Sequence, residues 1–136
     1  MRSSRTFVNG AIGAAVIGFA IACGSSPDGP TAPEPTGCTA SSSSTTITIS
    51  NNAACPQAIT VSRGTQVTFV NNDSRAHEMN SDPHPEHTDC PELNQVGHLE
   101  SGQRRQSGNL NIVRRCGFHD HINDTNAALK GTITIQ

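Results

Sequence analysis

The stretch Cys116-Gly117-Phe118-His119-Asp120-His121, with its continuation Leu129-Lys130-Gly131-Thr132-Ile133-Thr134-Ile135, decides how this chain reads. The first part sets one thiol and two imidazoles within six residues, expected at the tip of a loop. The second alternates polar and apolar side chains, as a closing β-strand does. Soft sulfur beside imidazole suits copper or zinc. A further imidazole has to come from elsewhere, and His77 is placed to supply it. It follows the strand-like run Gln66-Val67-Thr68-Phe69-Val70-Asn71.

Working outward, the chain between residues 45 and 136 reads as short β-strands. Thr45–Ser50, Ala58–Val61 and Gln66–Val70 alternate in hydropathy, with Arg63-Gly64 as the turn between the last two. Leu93–Leu99 suits a short edge segment. Gln103–Ser107 and Leu110–Arg115 flank Gly108-Asn109, a dipeptide fitted to a tight hairpin. No segment sustains a helical period. Six or seven short strands broken by frequent turns predict an all-β fold, a Greek-key β-sandwich. Its core is lean: beyond residue 22 the aromatic residues are Phe69 and Phe118 alone. Ile, Val and Leu must fill the rest, so covalent staples gain importance.

These motifs resemble the plastocyanin-like branch of the cupredoxins. In that family a strand ending in Asn-Asn precedes the first His ligand. A C-x-x-H loop supplies Cys and the second His, and an axial Met stands two residues before a Gly that opens the last strand. The resemblance spans roughly residues 45–136. It implies a cupredoxin-like domain holding one copper ion, with His77, Cys116 and His119 as ligands. Leu129 occupies the place of the axial Met, two residues before Gly131. His121 lies two residues from His119, so in an extended loop both rings point the same way. It is either a third imidazole, giving a paler and more tetragonal centre, or a solvent-side residue. The chain departs from the family in that Leu, in a longer loop after His119, and in an extra thiol at Cys90.

Six His lie between residues 77 and 121: His77, His84, His87, His98, His119 and His121. Asp82-Pro83-His84-Pro85-Glu86-His87-Thr88-Asp89-Cys90 is a Pro-rigid loop dense in metal-capable groups. Read singly, His84, His87 and His98 are ordinary exposed residues of polar loops. Four cysteines follow Cys23: Cys38, Cys55, Cys90 and Cys116. Cys38 and Cys55 flank the first strand and can pair locally. Cys90 and Cys116 then form either a second disulfide or a free thiol beside a thiolate ligand. Arg104, Arg105, Arg114 and Arg115 place cations on the expected hairpin, where a solvated face is the plain reading.

Residues 1–22 read as a lipoprotein signal peptide, with basic Met1–Arg5 and an apolar run from Phe7 to Ala22. Ala20-Ile21-Ala22-Cys23-Gly24 resembles a bacterial lipobox, which implies lipidation at Cys23. An ordinary cleaved signal peptide is the alternative, and either implies export. Residues 23–44, rich in Ser, Pro, Thr and Gly, read as a flexible tether reaching about 25 Å. Removing residues 1–22 leaves 114 residues (136 − 22) with a net charge of −4 (7 − 11). That balance argues against a nucleic-acid partner.

No hydrolase elbow, zinc-protease helix or phosphate loop is present, so no enzymatic activity is expected. The first expectation is an exported, lipid-anchored copper protein that passes electrons to a redox partner protein. The second is a redox-silent copper or zinc carrier using His77, His84, His87, His119 and His121. The third is a metal-free surface domain stapled by two disulfides.

Overall fold

The computed structural model describes Cys38 and residues 43–136. The expected signal peptide, Cys23 and most of the tether lie outside the described residues. Nine strands follow in chain order: β1 (Thr46–Ser50), β2 (Ala53–Cys55), β3 (Ala58–Val61), β4 (Thr68–Asn71), β5 (His77–Ser81), β6 (Gly97–Leu99), β7 (Arg104–Gln106), β8 (Arg114–Asp120) and β9 (Gly131–Ile135). Three short 3-10 turns, at Leu93–Gln95, His121–Asn123 and Ala127–Leu129, interrupt them.

The strands form two sheets, ordered β2-β1-β4-β7 and β3-β9-β8-β5-β6. Each sheet is mixed, with β1 parallel to β4 in one and β3 parallel to β9 in the other. Alternation explains the packing. Ile47 and Ile49 of β1, Phe69 of β4, Ile59 and Val61 of β3, Phe118 of β8, and Ile133 and Ile135 of β9 all turn inward. Phe69 and Phe118 meet edge-to-face across the two sheets, ring centres 5.4 Å apart. Such a pair adds about 0.5–1.5 kcal/mol beyond the area it buries. This is the expected β-sandwich.

The structure differs from the sequence reading in β2 and β5, which have no counterpart among the six or seven expected strands, and in two further features. Gly108-Asn109 does not close a hairpin, because β7 pairs with β4 while β8 pairs with β5 and β9. The segment crosses between sheets, tied by Ser107 N–H to Val67 O at 2.9 Å and Leu110 N–H to Thr65 O at 3.0 Å. β8 also runs further than expected, through His119 to Asp120, since β9 pairs with it as far as Phe118 and β5 carries the pairing on to Asp120. Two disulfides staple the domain, Cys38–Cys55 and Cys90–Cys116, with Cα atoms 5.6 and 5.8 Å apart.

Candidate metal centre

The extension of β8 decides where the expected ligands point. Cys116 and Phe118 face the other sheet and are fully buried. His119 stands an odd number of positions from both, so its side chain projects from the opposite face. In a loop, Cys116 and His119 would converge; within one strand they diverge. Cys116 is moreover joined to Cys90, which removes the thiolate. The expected Cys116 ligand is therefore corrected to a structural half-cystine.

His77 is diverted as well. It opens β5 and is 1% exposed, with Nδ1 2.8 Å from Asp120 Oδ2 and Nε2 3.0 Å from Asp73 Oδ2. Both ring nitrogens are engaged by carboxylates, so neither is free for a metal. Burial works to raise the Asp73 carboxyl, but hydrogen bonds from Asn52 N–H and the His77 ring outweigh it and hold it below the usual range. Leu129 is fully buried within the hydrophobic core. The expected His77–Cys116–His119 centre is not assembled.

His119 and His121 meet different partners. The loop after β5 folds back over the outer side of β8. It is clipped by Asp82 N–H to Gly117 O at 3.1 Å, Asp89 N–H to Asp82 O at 2.8 Å, and His87 N–H to Pro83 O at 2.7 Å. Asn94 adds a brace, donating from Nδ2 to His87 O while its Oδ1 accepts from Ser81 N–H, both at 2.8 Å. His87 itself adopts a left-handed backbone, φ 54°. His121 begins a 3-10 turn capped by Asp120, whose side chain accepts from Ile122 N–H at 3.2 Å.

Four imidazoles converge as a result. One ring nitrogen from each of His84, His87, His119 and His121 lies within 4.8 Å of the others. His121 Nδ1 stands 3.1 Å from His87 Nε2. The ring centres show a definite pattern. Four separations fall between 4.8 and 5.3 Å: His84–His121, His87–His121, His87–His119 and His84–His119. Two are longer, His84–His87 at 6.0 Å and His119–His121 at 6.5 Å, and these two pairs share no ring.

The electrostatics fit a cation. His119 Nδ1 contacts Asp82 Oδ1 at 2.7 Å, which places the ring proton there. Its Nε2 is then a bare acceptor, buried and without a hydrogen-bond partner among the described residues. A buried, unsatisfied polar atom costs about 1–3 kcal/mol, and a bound cation relieves that cost. Burial lowers the His87 pKa, and the neighbouring His119, His121 and His84 rings lower it further; Glu78 pulls weakly the other way. Neutral imidazole is the form that ligates. The residues present fit a metal ion.

No family profile matches this sequence, and no curated protein does either. Solved structures do match. A purple cupredoxin from Nitrosopumilus maritimus is 17% identical, with TM-score 0.51, covering 67% of this chain and 98% of that one. Plastocyanin from the fern Dryopteris crassirhizoma is 21% identical, with TM-score 0.53, covering 67% and 99%. The domain is cupredoxin-like. A reduced mutant form of amicyanin, 13% identical over 72% of this chain and 87% of that one, superposes with TM-score 0.53. Identities this low speak for the fold alone. Within the cupredoxin-like domain, the four-imidazole group uses His119 and His121 from the sequence expectation. Its other two members, His84 and His87, belong with them to the residues of the carrier expectation, of which His77 alone is left out; their loop signal was density in His and Pro without any pattern naming the partner strand.

Proposed function

We propose that this chain is an extracytoplasmic copper-binding protein whose single mononuclear centre is built from His84, His87, His119 and His121. The observation that carries the reading is the convergence of four imidazoles, one of which, His119, holds a bare, buried Nε2. An all-nitrogen donor set accepts either zinc or copper, and copper(II) binds such sites more tightly. The ring arrangement adds a second reason. In a tetrahedron, which zinc favours, all six separations are equal. In a square, four are short and the two diagonals are long and disjoint. The observed four-plus-two pattern lies toward the square, as copper(II) with nitrogen donors prefers.

The test is titration of metal-stripped protein with Cu(II). One equivalent should bind, with a four-nitrogen electron paramagnetic resonance (EPR) signature, weak visible absorption and displacement of zinc. Failure to bind, or an intense thiolate-to-copper band, would overturn it.

Electron transfer to a partner protein is the second reading. It is favoured by the ring pattern, which is flattened but not planar and so lies between the preferences of the two copper oxidation states. The cupredoxin-like scaffold, shared with plastocyanin and amicyanin, supports it too. A reversible one-electron wave of the copper-loaded protein tests it. We further propose export with lipid attachment at Cys23, supported by the apolar run ending at Ala22 and by two disulfides, which persist outside the cytoplasm. Cys23→Ala should release the protein from the membrane fraction; a variant still processed and membrane-bound would refute the anchor.

A further inference from the structure

We propose that His84 is the exchangeable ligand of this centre, so that the site is three fixed imidazoles plus one position open to a small monodentate donor from solution. The inference rests on the copper reading above. The four rings are not held alike. His119 stands within a seven-residue strand, is 1% exposed, and is fixed by Asp82. His87 is held by its backbone bond to Pro83 O and by the Asn94 brace on its carbonyl. His121 is anchored by the Asp120 cap and by its contact with His87.

His84 has none of these holds. Its side chain is 34% exposed, and among the described residues its one polar contact is with Asp124 Oδ2, 3.8 Å away. That carboxylate is itself 40% exposed, so the contact is solvent-screened and weak. Pro83 and Pro85 fix the backbone on either side. Exchange therefore needs only rotation of the His84 side chain, while the loop stays in place. With that ring turned out, three nitrogens remain and the vacated side opens to water. Metal centres that keep three protein ligands and one open position are those that take exogenous ligands, whereas closed four-ligand centres are structural.

The test uses chemical rescue of copper-loaded full-length protein, with imidazole as the probe and EPR nitrogen hyperfine structure as the readout. His84→Ala should keep its copper within about tenfold of the wild-type affinity, showing three nitrogens. Added imidazole should restore the four-nitrogen pattern, because the vacated position faces solvent. His119→Ala should lose copper affinity by about 100-fold or more, without rescue, because its position is enclosed. The inference fails if imidazole rescues neither variant or both alike. It fails equally if His84→Ala loses copper as completely as His119→Ala. Wild-type protein that binds no copper would instead bring down the copper reading, and this inference with it.

Discussion

His119 Nδ1 lies 2.7 Å from Asp82 Oδ1, and this contact decides which nitrogen of the ring is left as a bare acceptor. The carboxylate accepts the ring N–H, leaving Nε2 as the unprotonated nitrogen able to ligate. Gly117 makes the contact possible. It lies on the same outer face of β8 as His119, and a Cβ there would overlap the Asp82 carboxylate.

Asp82→Asn and Gly117→Ala should therefore act alike, one by removing the charge and the other by displacing it. Loss of an outer partner of this kind typically lowers metal affinity about 10–100-fold. Competition titration against a chelator measures the change. The thermal midpoint of metal-free Asp82→Asn should move little, because Asp82 is 41% exposed. An unchanged affinity in both variants would show that Asp82 does not orient the ligand.

The Cys90–Cys116 bridge gives the second prediction. Cys90→Ser and Cys116→Ser should each cost stability, by about 2–5 kcal/mol in urea unfolding, and by similar amounts. Copper binding should survive in both, with its weak visible spectrum unchanged. Thiol counting on denatured, unreduced protein should find no free thiol among Cys38, Cys55, Cys90 and Cys116. A free thiol at Cys116 would reopen the thiolate reading.

How much of this is legible in the sequence follows from the range of the interactions. β1, β3, β4 and β9 alternate in hydropathy, so their inward faces can be read locally. β5 cannot, because His77, Asn80 and Ser81 are buried polar residues that break the alternation, and the Asp120 carboxylate that holds the His77 ring lies 43 residues on. The span of β8 is hidden for a related reason. C-x-x-H reads as a loop until β9 is known to pair with it as far as Phe118 and β5 as far as Asp120. One strand extended by a few residues separates Cys116 from His119 and creates a different centre. His84 and His87 read as ordinary loop residues because contact with His119 depends on the return of their loop, held by Asp82, Pro83 and Asn94.

Acid should weaken the metal-free fold in two steps. Burial, then the adjacent imidazoles, hold the His87 pKa below the ordinary value of 6.5. Below that value the unfolded chain binds a proton that the folded chain refuses. Stability thus rises with pH across the window between the lowered value and 6.5, and falls on acidification through it. Asp73, held below its ordinary value of 3.8, contributes stability that is intact above 3.8 and lost as pH drops through its lowered value. Urea unfolding from pH 4 to 8 tests the upper step, the range being set by about one histidine titration either side of 6.5. His87→Gln should flatten that slope, and a slope that persists would assign it to another group.

His77 provides the sharpest contrast between the two alternative centres. As a ligand, its replacement would strip the metal while leaving the apo fold largely intact. As found, its ring bridges Asp73 and Asp120, and Asp120 Oδ1 also accepts from Glu78 N–H at 2.9 Å. Asp120 is 1% exposed, so His77→Ala would leave a buried carboxylate without its ring partner. Leaving a buried acceptor without its partner costs about 1–3 kcal/mol, more for a charged group. The expected outcome is a large drop in the thermal midpoint of metal-free protein. Copper binding in the cold should persist with four nitrogens, since His77 donates none of them. Loss of one nitrogen from the EPR pattern of His77→Ala, with little loss of apo stability, would restore His77 to the centre.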